Sequence, residues 1–194
     1  MKMNQYPNWF SYGANSYFER NTSHFKDTPI TALQIGAYTG DASLWMVENI
    51  LTHKNSELYD VDTWAGSDES IHKEFNWSDI KEIYNNKLST YIDSGKIIPT
   101  MMKSVDFLRM APGPFDFVYI DGNHEAFAVV EDFIFVFDLV NINGIIAFDD
   151  YNWGSDLPAY KRPQMAINFI LDVYQDKIKV IDSGNQMWIQ KIAN

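Results

Sequence analysis

From Thr31 onward, short apolar runs alternate with stretches whose apolar residues recur every three or four positions. The runs predict strands over residues 31–36, 57–62, 96–101, 115–121 and 144–149. Between the first two, Leu44, Val47, Ile50 and Leu51 stand at helical spacing in the stretch 41–54. Residues 78–94 read as a polar helix closed by Gly95, and a short helix follows around 105–110. Residues 125–141 form a helix that is apolar nearly all round, with a narrow polar stripe of Glu125, Glu131, Asp132 and Asp138. Such a helix is buried on more than one side. Packing against both the sheet and the N-terminal segment accounts for this, and a homodimer interface is the alternative. Pro163 suits the first turn of a helix running to about Tyr174. Residues 177–181 and 186–191 then flank Asp182-Ser183-Gly184-Asn185, a hairpin signal.

Strands alternate with helices until that hairpin. The pattern predicts an α/β fold with an open, mainly parallel sheet, helices on both faces and an antiparallel strand near one edge. Residues 31–194 make up this domain. Residues 1–30 are irregular and rich in aromatics, among them Tyr6, Trp9, Phe10, Tyr12, Tyr17, Phe18 and Phe25. They read as a lid, together with the loop 151–162; completing the core is the plainer role for any one of these rings.

Composition narrows the picture modestly. A net charge of −11 disfavours nucleic acid and anionic membranes as partners, and suits neutral or cationic small molecules or metal ions. Solubility alone also accounts for it. No apolar run approaches the ~20 residues of a membrane span, and the N-terminus MKMNQYPNWF lacks the apolar centre of a signal peptide. Cysteine is absent, which excludes disulfides and thiolate metal sites. A cytoplasmic location is the expectation.

The chemistry collects where the strands end. In open parallel sheets, ligands bind beyond the carboxyl ends of the strands. The first strand ends in Gln34-Ile-Gly-Ala-Tyr-Thr-Gly40, the second in Asp60-Val-Asp-Thr-Trp64, the fourth in Asp121-Gly-Asn-His124 and the fifth in Asp149-Asp150. Gly36 permits a tight turn and Gly40 a close approach at the helix start. A dinucleotide fingerprint needs glycine at position 38, where Tyr38 stands, so the loop argues against NAD or FAD. Asp62 lies 22 residues beyond Gly40 at the end of the neighbouring strand, where a carboxylate can accept both hydroxyls of a ribose. The expected cofactor carries a ribose and no pyrophosphate.

QIGAYTGDAS resembles motif I of class I S-adenosylmethionine-dependent methyltransferases, usually E-x-G-x-x-x-G-x-S. LYDVDTWAGS, FDFVYIDGNHEAFAVVEDF and GIIAFDDYNW are similar to later motifs of a branch of small-molecule O-methyltransferases that includes the macrocin-type sugar enzymes. The resemblance covers roughly residues 30–190. It implies a doubly wound, Rossmann-like seven-stranded sheet of order 3-2-1-4-5-7-6 with strand 7 antiparallel. It implies S-adenosylmethionine as cofactor and a small-molecule hydroxyl acceptor. Gly36 and Gly40, with Ala37 and Tyr38 between them and Ser43 beyond, would shape the cofactor loop. Asp62, flanked by Thr63 and Trp64, would hold the ribose; Ser104 would lie near the adenine, and Asp121 would border the cofactor. The family's acidic residue at the start of motif I is Gln34 here, which cannot offer a charge to the cofactor's ammonium. Asp41 is a candidate substitute, or simply a favourable charge in the first turn of its helix.

If the fourth and fifth strands are neighbours, their ends lie about 5 Å apart. Asp121, Asp149 and Asp150 then converge, and such crowding calls for a cation. A hard divalent ion such as Mg²⁺ takes oxygen ligands and leaves positions for substrate, and the family resemblance implies the same trio as a Mg²⁺ site. Otherwise one aspartate caps a loop and another faces solvent. By the same resemblance His124 is the base that takes the acceptor's proton, for which its ordinary pKa is suited; capping a helix or packing on the cofactor is its other role. His24, His53 and His72 read as surface residues. Three alternatives stand against this reading. A haloacid-dehalogenase-type phosphatase is suggested by Asp60-Val-Asp-Thr, but the threonine comes one position early. An N-methyltransferase of the nucleic-acid type would carry an Asn/Asp-Pro-Pro-Tyr/Phe motif, absent here. A non-catalytic cofactor binder would have little use for the acidic trio and His124.

Overall fold

The computed structural model describes residues 6–67 and 70–194; Met1–Gln5 of the aromatic-rich segment lie outside the described residues. Seven strands form one sheet of order β3-β2-β1-β4-β5-β7-β6. The central strands are β1 (Thr31–Ile35), β2 (Glu57–Asp62), β3 (Ile97–Met101), β4 (Phe115–Ile120) and β5 (Val140–Phe148), all mutually parallel. The hairpin of β6 (Ile178–Ser183) and β7 (Met187–Lys191) adds to the edge, with β7 antiparallel to both β5 and β6. This is the order expected from the sequence.

Strand alternation divides the core. Ala32, Phe117, Tyr119 and Trp188 point to one face, where α1 (Ala14–Thr22), α2 (Asp41–Asn49) and α3 (Trp77–Asp93) supply Phe18, Met46 and Tyr84. Leu33, Val118 and Ile146 point to the other, covered by α4 (Ser104–Leu108), α5 (Ala126–Leu139) and α6 (Pro163–Val173) through Phe107, Phe133, Val136 and Ile167. No described helix is long and apolar enough to cross a membrane.

The structure departs from the sequence pattern in four places. Helix α5 packs on β4, α4 and α6, across the sheet from the N-terminal segment that was expected to cover it. The segment before Thr31 contains α1, whose fully buried Phe18 meets Phe10, Phe117, Tyr119 and Trp188 edge to face. Its short amphipathic turn was hidden among aromatics that are apolar on every side. Strand β5 begins at Val140, four residues before Gly144; a register shift opposite Phe115–Phe117 admits Asn141, whose amide donates to Asp116 Oδ1 at 2.8 Å. Asp132, assigned to the polar stripe of α5, is 4% exposed and accepts a hydrogen bond from Ser104. Burial raises its pKa to about 7.

Asp60 is the other carboxylate sunk in the core. It is fully buried in β2, accepts from Tyr84 Oη at 2.6 Å, and has an Oδ1 with no hydrogen-bond partner among the described residues. Burial, opposed by Tyr84 and Ser43 and reinforced by the charge of Asp62, raises its pKa to about 7. A raised carboxyl pKa favours folding below the unfolded value and loses that contribution as pH rises through the folded value. Asp60→Asn should therefore gain stability over the parent between pH 5 and pH 8, by about 2–4 kcal/mol at the upper end. Urea denaturation at the two pH values measures this; a difference that does not change with pH would show that Asp60 titrates like an exposed carboxylate.

Candidate active site

Strand β1 delivers the chain into a turn that only glycine can make. Gly36 has φ +89°, and a Cβ there would lie 1.9 Å from the carbonyl oxygen of Asp121. Its N–H donates to Val61 O at 2.8 Å, while Asp121 N–H donates to Ile35 O at 2.9 Å. The ends of β2, β1 and β4 are thus joined at one point. Gly40, with φ +77°, opens α2; the space a side chain would fill there is taken by Tyr84 and Leu88 of α3.

Asp62 braces the loop between these glycines. Its Oδ2 accepts from Tyr38 N–H at 2.9 Å and its Oδ1 from Trp64 N–H at 2.7 Å. Burial pushes its pKa up, and the backbone donors pull it back. Trp64 is buried; its indole N–H donates to Tyr38 O at 3.0 Å and its ring meets Tyr84. It props the loop from below, while Thr63 Oγ1 accepts from Ala65 N–H. Gln34, Gly36, Ala37, Tyr38, Asp41 and Asp121 line a cleft whose other wall is Trp9 and Phe10. Trp9 stacks on Tyr38 at 4.6 Å, and Asn8 donates to Asp41. The N-terminal segment therefore does border this cleft. Ser43, fully buried, turns into the core toward Gln34. Ser104 meets Asp132, whose Oδ2 lies 3.9 Å from where a side chain of Gly122 would begin. His72 is half-buried, its Nδ1 accepting from Ser67 N–H at 3.1 Å and its ring packed on Trp77; it is not the plain surface residue that its sequence context suggested.

The second feature stands at the ends of β4 and β5. Ile120 is the register partner of Phe148, and Asp149 N–H donates to Ile120 O at 3.0 Å, which sets Asp121 beside the Asp149-Asp150 pair. Asp150 adopts φ +55°, a left-handed conformation that aspartate tolerates better than most residues. It turns its carboxylate toward His124, whose Nε2 is 3.4 Å from Asp150 Oδ2 and 3.7 Å from Asp121 Oδ1. Asp121, His124 and Asp150 each present a potential ligand atom, all within 4.8 Å of one another. Asp149 is directed elsewhere. Its Oδ2 accepts from Tyr119 Oη at 2.5 Å and its Oδ1 from Gln186 Nε2 at 2.9 Å, and Gln186 is held in turn by Trp188. Burial, then the charges of Asp149 and Asp150, push the Asp121 carboxyl well above its usual range, against the pull of His124. Trp153 lies against the His124 ring at 5.1 Å. Tyr119, Gln186 and Trp188 had no signal in the sequence, since only the strand order brings β4, β5 and β7 together here.

Residues 33–151, more than half of the chain, match the methyltransferase domain family. An uncharacterised protein of Acanthamoeba polyphaga mimivirus is 27% identical over 135 residues, which make up 69% of this chain and 57% of that protein. Among solved structures, the fold is similar to MycE methyltransferase of the mycinamycin biosynthetic pathway, in complex with Mg, SAH and mycinamycin VI. The TM-score is 0.64 at 19% identity, over 97% of this chain and 51% of MycE. SAH-bound methyltransferase PaMTH1 of Podospora anserina gives 0.65 at 18% identity, over 92% of this chain and 77% of that one. The O-methyltransferase NovP gives 0.66 at 15%, over 84% and 72%. This chain thus spans little more than half the length of the mimivirus protein and of MycE.

The contact between Gly36 and Asp121 makes a direct test of the geometry. Gly36→Ala should cost about 3 kcal/mol or more, through steric overlap with backbone and a strained positive φ. Thermal unfolding measures it, and an unchanged midpoint would show that the loop can move away from β4.

Proposed function

The chain belongs to the methyltransferase domain family, and from that premise we propose that it transfers the methyl group of S-adenosylmethionine to a hydroxyl of a small molecule, aided by a hard divalent cation such as Mg²⁺. The observation that carries the proposal is the convergence of Asp121, His124 and Asp150 beside the glycine loop. MycE, similar in fold, is described in complex with both Mg and SAH, which supports the same pairing here.

The residues fit a divalent ion. Two carboxylate oxygens and an imidazole nitrogen form a hard-to-borderline donor set, and Asp121 sits where its charge is costly without a counter-ion. Asp121 and Asp150 would hold it. Asp149, the third member of the expected trio, would stand behind the ion, with both of its oxygens accepting hydrogen bonds from Tyr119 and Gln186. When bound, such an ion supplies the Lewis acidity that makes an alcohol easier to deprotonate near neutral pH. His124 Nε2 faces the same point as the carboxylates, so it can accept the hydroxyl proton as it leaves. The loop from Gly36 to Gly40 holds the donor, Asp62 binds its ribose, and Ser104 with Asp132 stands on the adenine side. Trp9 and Phe10, on the opposite wall of the cleft, would shield the reacting end from water. In-line methyl transfer then asks the protein mainly for alignment.

A second reading has its own support: His124 belongs to the same group of potential ligand atoms as Asp121 and Asp150, which makes it a third ligand in place of Asp149. The homodimer alternative draws on Phe127 and Ile134 of α5 and Phe169 of α6, which leave an apolar outer face.

SAH at millimolar concentration should raise the melting temperature and NAD should not; no shift with SAH would remove the cofactor reading. EDTA should abolish methylation of an accepted diol or sugar, and Mg²⁺ should restore it. Asp150→Asn should weaken Mn²⁺ binding, read by calorimetry, at least about tenfold. In His124→Ala, intact Mn²⁺ affinity with a lost rate assigns the base, and lost affinity assigns a ligand. Full turnover in chelator would eliminate the metal while leaving the methyltransferase.

A further inference from the structure

Beneath the glycine loop, three polar side chains are buried together. Gln34 and Asp60 are register partners on β1 and β2, so their side chains share one face of the sheet, and Ser43 reaches them from α2. All three are essentially inaccessible to solvent. Ser43 Oγ donates to Gln34 Oε1 at 3.1 Å, and Gln34 Nε2 donates to Gly36 O at 3.0 Å. The same Ser43 hydroxyl lies within hydrogen-bonding reach of the Asp60 carboxylate. Asp60 Oδ2 is occupied by Tyr84, but Oδ1 has no partner among the described residues. An apolar residue would fill this place on the sheet at less cost than a half-satisfied carboxylate.

The methionine part of the proposed donor carries two positive charges, on its sulfonium and its ammonium. The carboxylates that line the cleft are Asp41 and Asp121. Asp41 is already paired with Lys87 at 2.7 Å and accepts from Asn8 and Thr39 as well. Asp121 belongs to the acidic group shared with His124 and Asp150. Gln34 faces the cleft without a charge.

We propose that Asp60 supplies the negative charge for the donor's ammonium from behind the loop, acting through Ser43 and Gln34. Ser43 turns its single proton from Gln34 Oε1 to the open Asp60 Oδ1. Gln34 Oε1, released, accepts from the ammonium at the cleft, while Gln34 Nε2 keeps its bond to Gly36. No covalent bond changes; one hydroxyl rotates, and a row of dipoles aligns with the charge behind it. Asp60 is thus a positioning residue for donor binding. The inference rests on the S-adenosylmethionine reading above.

Two ligands separate the effect from general damage. SAH carries the ammonium, whereas 5′-methylthioadenosine keeps the adenosine and lacks the amino-acid part. By calorimetry, Asp60→Asn should weaken SAH binding about tenfold, the scale of a charge-assisted hydrogen bond, and leave 5′-methylthioadenosine unchanged. Ser43→Ala should repeat the pattern. Gln34→Glu introduced into Asp60→Asn, which returns a carboxylate to the edge of the cleft, should recover SAH affinity. SAH binding by Asp60→Asn equal to the parent's, or equal losses for both ligands, would overturn the assignment. A parent chain that binds neither ligand would overturn the cofactor reading and this inference together.

Discussion

The carbonyl of Asp121 occupies the space where a side chain of residue 36 would stand. Everything at the working edge of the sheet follows from that contact. It lets the turn after β1 lie flat against the end of β4, with Gly36 and Asp121 each bonded to the neighbouring strand. The loop that would receive a methyl donor and the acidic group that would activate an acceptor are thereby placed side by side, with Asp121 common to both. A larger residue would separate them. The spacing is set by backbone, which costs nothing to reorganise during a reaction.

Around this contact the protein accepts unfavourable charge. Asp60, Asp62, Asp121 and Asp132 all have their pKa pushed upward, in each case chiefly by burial. Each raises the energy of the folded state at neutral pH. All four lie near the carboxyl ends of the strands or beneath the loops there. Carboxylates perturbed by burial and gathered at one edge of a sheet are common where proteins bind ligands. A donor with two positive charges and a divalent cation would each relieve part of this cost.

The N-terminal segment joins two tasks. Phe18 is inserted among Phe117, Tyr119 and Trp188, so α1 belongs to the core. Arg20 and Asn21 bond to Asp182, tying α1 to β6. Ahead of it, Trp9 rests on Tyr38 and Asn8 on Asp41. Core packing therefore brings Trp9 and Phe10 to the wall of the cleft, and the aromatics of this segment both fill the core and line the cleft.

Hydrophobic periodicity by itself determined the alternation of strands and helices from β1 onward, because burial of a strand or a helix face imposes a local repeat; it missed α1 and the start of β5, where that repeat is masked or broken. Local spacing also marked Gly36 and Gly40, whose conformations are backbone requirements, and the carboxylates that end β2, β4 and β5. It could not say which of Asp121, Asp149 and Asp150 would face His124. That depended on the left-handed turn at Asp150 and on Tyr119 and Gln186 reaching Asp149 from β4 and from beside β7. Nor could it show that Asp60, two residues before Asp62, would be sealed in the core, or that Asp132 would be buried against Ser104. Proton affinity depends on what surrounds a carboxylate in three dimensions, and residues far apart in the chain supply those surroundings only after the sheet has closed.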